Sequence, residues 1–300
     1  RLSGWQDRPP LANGQRELTA LDIAQRVPVI AGHLREAGIG QNDVGLICLR
    51  DPIDTVLGFL AHWYLGASPL VLDFRQRAEE RARMFQASGA RLALVEANSP
   101  ERDGFAHLDW SPEFLHAATP TLAPVSTAVA APAMLLASSG TTGSPKIYAV
   151  DYDVMIAWGG IRDADLEMPL GLALCALPLQ YVASIMLVLR NLLIGLPIRF
   201  HPVLTSQSDL IEAMLSHPVV HTALSPSVIR AMAADVGTRD VPLLENVRSL
   251  RSSGGPALPD DKIAAYRNLS SGYNMAFGSG LSGFVSVLAG EDVLLRPETS

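Results

Sequence analysis

An α/β fold with two mostly parallel sheets flanked by helices is predicted from three features of this sequence. Short apolar runs of four to six residues alternate along the chain with longer amphipathic stretches. The short runs are continuously apolar, as expected for parallel strands covered on both faces. The 300 residues are 48% hydrophobic and only 18% charged, enough for a sizeable packed core and unlike a disordered chain.

The runs that read as strands are Val44–Leu49, Pro69–Leu72, Arg91–Val95, Met134–Ala137, Leu172–Ala176, Pro197–Phe200, Val219–Ala223 and Ser249–Ser252. A first helix is expected where Ile23, Val27, Ile30, Ala31 and Leu34 recur at helical spacing. Thr19 and Asp22 form a capping-box pattern at its start, and Pro28 is a candidate kink. Further helices are predicted at Asp54–Leu65, Arg77–Ala87, Asp153–Asp165, Val182–Leu193, Ser208–Ser216, Pro226–Ala234 and Asp260–Asn268. Residues 97–132 are rich in Pro, Ala and Thr and weakly periodic, so they read as a connection. The expected division is therefore 1–132 for one α/β subdomain with its connecting segment, and 133–300 for a second.

Composition narrows the function. A net charge of −7 with no basic stripe argues against a nucleic-acid partner. No stretch approaches the roughly 20 apolar residues that span a bilayer. Cys48 and Cys175 each sit in an apolar run and read as buried free thiols, which fits a cytoplasmic protein. The histidines are scattered, and no Gly-x-Ser-x-Gly elbow is present, so neither a metal cage nor serine-hydrolase chemistry has its local signature.

The clearest chemical signal runs from Leu135 to Lys146. An apolar strand enters Ser138-Ser139-Gly140-Thr141-Thr142-Gly143-Ser144-Pro145-Lys146. Gly140 and Gly143 let the backbone curl and aim N–H groups at an anion. Ser138, Ser139, Thr141 and Thr142 offer hydroxyl donors, and Lys146 a cation; polyphosphate suits that set. A Walker A loop is excluded by spacing, and because Pro145 precedes Lys146 and Ile147–Val150 reads as a strand rather than a helix. A hairpin closing over phosphates is the functional reading; a solvent-exposed turn is the bland one.

This segment resembles the phosphate-binding signature of the adenylate-forming (AMP-binding) superfamily, which includes acyl- and aryl-CoA ligases, luciferases and peptide-synthetase adenylation domains. Four other segments resemble family regions in family order. They are Leu18–Val95 with its Gly66-Ala67-Ser68-Pro69-Leu70 turn, Ala176-Leu177-Pro178-Leu179-Gln180-Tyr181-Val182, Ser252–Leu258, and Tyr273–Leu281. Together with Leu189–Gly195, the pocket segment gives the chain an o-succinylbenzoate-CoA-ligase flavour. The resemblance implies the N-terminal subdomains of such an enzyme, with the C-terminal lid domain absent from a front portion.

It further implies ATP-dependent activation of a carboxylic acid, then transfer to coenzyme A, with ATP, Mg²⁺ and coenzyme A as cofactors. Partners would be a small acid, no nucleic acid, no membrane span, and at most a second copy in a homodimer. Thr142 and Lys146 would be catalytic, with Ser138, Ser139, Gly140, Thr141, Thr142, Gly143 and Lys146 on the phosphates and Thr142 on the metal. Gly254, Gly255, Pro256, Asn274, Ala276, Phe277 and Gly278 would seat the nucleotide, Phe277 standing where relatives usually place Tyr. Tyr181, Gly278 and Ser279 would border the acid, Tyr181 standing where many relatives carry His.

The chain departs from the family at Leu281, where members carry the Glu that helps hold Mg²⁺; leucine cannot ligate a hard cation. The alternative is therefore a non-catalytic nucleotide- or acyl-binding relative. No counterpart of the family's ribose-binding Asp or C-terminal Lys precedes Ser300, so a 300-residue fragment is expected to be inactive or impaired.

Overall fold

A computed structural model describes residues 10–97, 105–115, 123–125, 131–138, 146–158, 170–203, 205–279 and 283–299. The chain divides into two compact units. The first comprises Arg1–Pro9, Leu18–Ala157 and Leu179–Val182; the second comprises Pro10–Glu17, Trp158–Pro178 and Ala183–Ser300.

Two short strands come first among the described residues, β1 (Leu11–Ala12) and β2 (Glu17–Leu18), and both join the eight-stranded sheet described below. The first unit then begins with helix α1 (Ala20–Glu36). Its start is the expected capping box: Asp22 N–H donates to Thr19 Oγ1 at 3.1 Å, and Thr19 N–H donates to Asp22 Oδ2 at 2.8 Å. The helix runs through Pro28 to its full length. Strand β3 (Val44–Cys48) follows, then α2 (Pro52–Tyr64), β4 (Ser68–Val71), α3 (Ala78–Ser88) and β5 (Leu92–Glu96). Asp51 caps α2, accepting from the N–H groups of Ile53 and Asp54, with Pro52 preset for the first turn. Gly89, at φ +66°, ends α3 in the left-handed conformation.

The segment expected to be a plain connection contains β6 (His107–Trp110) and a 3₁₀ turn, Pro112–Leu115. Strand β6 pairs in parallel with β5 at the sheet edge, and only Trp110 is buried. The Trp110 indole N–H donates to Asp54 Oδ2 at 3.0 Å. A four-residue edge strand with one buried side chain leaves no run of apolar residues to read.

Strands β7 (Met134–Ser138) and β8 (Lys146–Val150) complete this first sheet, in the order β6-β5-β3-β4-β7-β8. All its neighbours are parallel except β7 and β8. The units therefore do not divide at the expected residue 132. The Trp63 indole donates to Ala133 O at 2.6 Å, Ser68 Oγ donates to Pro132 O at 2.5 Å, and Leu70 pairs with Leu135. These contacts draw the hairpin into the first unit, whose long stretch ends at Ala157 within α4 (Tyr152–Trp158). Residues 159–165 of the helix expected there lie outside the described residues. Leu46, Cys48, Leu70, Leu72, Met84, Ala93, Val95 and Leu135 form one buried cluster of the unit.

The second unit contributes β9 (Leu172–Cys175), α5 (Val182–Ile194), β10 (Ile198–Phe200), α6 (Gln207–Ser216), β11 (Val219–Leu224), α7 (Pro226–Val236) and β12 (Ser249–Ser252). After α8 (Pro259–Ala264) a π-helical turn, Ala265–Leu269, leads to β13 (Tyr273–Ser279), β14 (Gly283–Ala289) and α9 (Asp292–Leu295). The eight strands run β14-β13-β12-β11-β9-β10-β1-β2. Within it β1, β10, β9, β11, β12 and β13 pair in parallel, and β14 returns antiparallel to β13. Leu174, Leu250, Tyr273 and Met275 of this sheet pack with Leu210 and Met214 of α6 and Ile229 and Met232 of α7. The two sheets match the predicted fold class.

Candidate active site

The hydroxyl-rich segment joins two paired strands. Ser138 pairs with Lys146, and the ladder continues to Met134 and Val150. The strand on each side of the loop is as expected, and it rules out a strand-to-helix phosphate loop. The Lys146 side chain is exposed at the stem. Ser139, Gly140, Thr141, Thr142, Gly143, Ser144 and Pro145 lie outside the described residues, as does the Ser138 side chain.

Because β7 is parallel to β4, the hairpin leaves the sheet at the carboxyl end of β4. Open α/β sheets bind ligands at that end. Several side chains gather there in the first unit. Asp73 lies just beyond β4, and Oδ1 accepts the Arg75 backbone N–H at 2.9 Å and Nε at 2.8 Å. The Arg75 Nη2 donates to Oδ2, and Gln180 Nε2 donates to the same oxygen at 3.1 Å. The guanidinium of Arg50 stands 5.0 Å from the Phe74 ring centroid and that of Arg75 stands 5.9 Å away. Burial pushes the Asp73 carboxyl up, but the hydrogen bonds from Arg75 and Gln180 and the guanidinium charge outweigh it, so the group sits below the usual carboxylate range. Arg75 is raised in turn, first by its hydrogen bond to Asp73, against burial, and then by the charges of Asp73 and Tyr181. Tyr181 itself is 52% exposed, immediately before α5. Reading the sequence missed Asp73 and Arg75, although an Asp-x-Arg set directly after a buried strand was the available signal.

In the second unit, the turn 253–256 follows β12 directly. Ser252 pairs with Met275, so that turn and Ala276–Gly278 lie at the same end of two neighbouring strands. Ser253 N–H donates to Leu224 O at 3.1 Å, which holds the turn against the end of β11. Gly254 adopts φ +88°, a conformation that favours glycine, and a Cβ there would meet nothing within 4 Å. Gly255 and Pro256 are exposed, so this turn presents bare backbone. Ala276 is buried, whereas Phe277 is 56% exposed and Gly278 is exposed beside it. The strand pairing shifts register between these last two residues. The Ser279 side chain, Gly280 and Leu281 lie outside the described residues.

Asn274 differs from its expected nucleotide-binding part. Its Oδ1 accepts from Arg251 Nε at 2.9 Å, and its Nδ2 donates to Ser249 Oγ and Gly272 O, each at 3.1 Å. A buried amide with both ends engaged braces β12 against β13 rather than reaching a ligand. Two other polar groups are also structural. Burial pushes the Cys175 thiol up to about 12, which leaves no nucleophilic thiolate. His221 is driven well below its ordinary value by burial first and then by Arg251 and Arg190, so its ring is neutral. Among the described residues no three His, Cys, Asp or Glu side chains could hold a metal ion, and no helix is long and apolar enough to cross a membrane.

Two mostly parallel sheets flanked by helices, the second with a Gly254-Gly255 turn directly after β12, define an α/β class whose ligand sites lie beyond strand carboxyl ends. The family model "AMP-binding enzyme" matches residues 1–280, and the chain belongs to that family. A 2-succinylbenzoate–CoA ligase of Geobacillus kaustophilus is 24% identical over 84% of this chain and 51% of its own length. The anguibactin system regulator of Vibrio anguillarum is 29% identical over 45% of this chain and 13% of its own length. Solved structures of o-succinylbenzoate CoA synthetase (MenE) from Bacillus subtilis share the fold. A double mutant bound with the product analogue OSB-NCoA gives a TM-score of 0.85 at 18% identity, covering 97% of this chain and 60% of that one. The complex with ATP and magnesium ion gives 0.80 at 18% identity, covering 96% and 60%. The chain thus spans about half the length of the ligase and a small part of the regulator.

Proposed function

We propose that the protein containing this chain activates a carboxylic acid with ATP and passes the acyl group to a thiol, coenzyme A being the acceptor of first choice. One carboxylate oxygen of the acid attacks the α-phosphorus of ATP, an acyl-adenylate forms and pyrophosphate leaves; the thiol then displaces AMP. The observation that carries this reading is the Ser/Thr/Gly hairpin stem, bounded by paired β7 and β8 with the Lys146 cation exposed at its end. Family membership and the ligase relatives support it.

In this reading Ser138, Ser139, Gly140, Thr141, Thr142, Gly143 and Lys146 hold the phosphates. Their donors neutralise charge and align the α-phosphorus, which is most of the catalysis such a transfer needs. In the second unit the bare turn at Gly254, Gly255 and Pro256 lets a flat base approach, and the exposed Phe277 ring offers it a π face. Ala276 and Gly278 keep the surface beside that ring small. Tyr181, Gly278 and Ser279 border the acid.

Magnesium fits this donor set as an ion carried in by the nucleotide. Thr142 would contribute a hydroxyl, and the phosphates and water would supply the remaining oxygens, a common arrangement for Mg²⁺. When bound, the ion supplies charge neutralisation on the polyphosphate. A cytoplasmic setting belongs to the same proposal.

Leu281 favours a second reading, nucleotide binding without turnover. Acid-dependent exchange of pyrophosphate into ATP, measured on the natural protein over a panel of acids, decides between them. Exchange with one acid, abolished by Thr142→Ala with Lys146→Ala, supports the ligase. Nucleotide binding with no exchange for any acid supports the second reading.

A further inference from the structure

We propose that Asp73 is a positioning residue for the acid: its carboxylate fixes Gln180 and thereby sets where the adjoining Tyr181 phenol stands. The inference rests on the reading of Tyr181 as a border of the acid pocket. Asp73, Arg75, Gln180 and Tyr181 all belong to the first unit.

The Asp73 carboxylate is 10% exposed and receives donors on both oxygens. Arg75 occupies Oδ1 with its backbone N–H and Nε, and approaches Oδ2 with Nη2. Arg75 Nε also donates to Oδ2 at 3.0 Å, and Gln180 Nε2, 107 positions further along the chain, donates to the same oxygen. Only an ionised carboxylate offers acceptors on both atoms, so an amide at residue 73 would turn a donor toward either Arg75 or Gln180. Hydrogen bonds to a largely sequestered charge are stronger than exposed ones.

Tyr181 is not held by core packing, since half its surface is open. Tyr181 follows Gln180 directly in the chain, so the Gln180–Asp73 bond restrains its backbone. Release of Gln180 would therefore loosen Tyr181 without touching the phosphate hairpin.

The test compares the natural protein with Asp73→Asn, Gln180→Ala and the double variant, in pyrophosphate exchange against varied acid and varied ATP. Each single variant should raise the acid KM about tenfold, the worth of one hydrogen bond to a charge, and leave the ATP KM within about twofold. The double variant should be no worse than the more affected single one. Adding Gln180→Glu to Asp73→Asn exchanges donor and acceptor and should recover most of the loss. An unchanged acid KM in Gln180→Ala, additive losses, or an equal rise in the ATP KM would each overturn the proposal. Failure of the natural protein to exchange with any acid overturns the reaction instead. The same four proteins then still test the tether by their unfolding midpoints, where non-additive losses support it and additive losses remove it.

Discussion

Replacing Phe277 by Ala separates a ligand-binding ring from a packing ring. The side chain is 56% exposed, and its neighbour across the ladder is Ser286. A fully buried Phe→Ala change costs roughly 3–5 kcal/mol, much of it from the cavity left behind. Here under half the ring is covered and the site opens to solvent, so a stability loss of about 1 kcal/mol is expected. That shifts the unfolding midpoint by about 2–4 °C in a protein of this size class. An aromatic ring stacked on a nucleobase is worth about 1–3 kcal/mol by alanine substitution. Affinity for a non-hydrolysable ATP analogue should therefore fall about 5- to 150-fold. Calorimetric titration measures the affinity and differential scanning measures the midpoint. Phe277→Tyr should keep both, because stacking needs only the π face. A midpoint drop well beyond 4 °C with unchanged nucleotide affinity would show that the ring serves packing, and the adenine assignment would fail.

Two further predictions concern the frame that carries the site. A Cβ on Gly45 would collide with His62 Nε2, and His62 is buried with Nδ1 bonded to Gly58 O at 2.7 Å. Gly45→Ala should cost about 3 kcal/mol or more through overpacking and a broken buried hydrogen bond. Urea unfolding should show that cost nearly vanishing in a His62→Ala background, and a cost that persists there would refute the clash. Burial lowers the His62 pKa from 6.5 to about 4, outweighing its bond to Gly58. The unfolded chain therefore binds the extra proton first as pH falls. Stability present above pH 6.5 should decline by roughly 3 kcal/mol as pH drops to 4, and His62→Gln should flatten that slope. An equal slope in the variant would place the titration elsewhere.

Much of the architecture is written in local pattern. Runs such as Val44–Cys48 and Ser249–Ser252 are apolar enough, or short enough between turns, to be read as strands, and the Thr19–Asp22 box marks the start of α1 within the chain itself. Elements without a local signature were missed. Strands β1 and β2 are two residues each, β6 buries one side chain, and β13 runs through Ala276-Phe277-Gly278, which are held extended by their pairing with β14. Asn274 looked like a ligand contact beside an aromatic–glycine pair, and only the folded chain shows its amide spent on Arg251, Ser249 and Gly272.

The amino-acid order alone determined the alternation of strands and helices, the chemistry of the 138–146 segment and the exclusion of a Walker loop, because each depends on neighbours a few positions apart. Tertiary structure alone decided which sheet takes the β7–β8 hairpin, and that Gln180 meets Asp73. Strand partners and side-chain contacts between distant residues arise from packing and loop closure over long separations, and those leave no periodic trace in the chain.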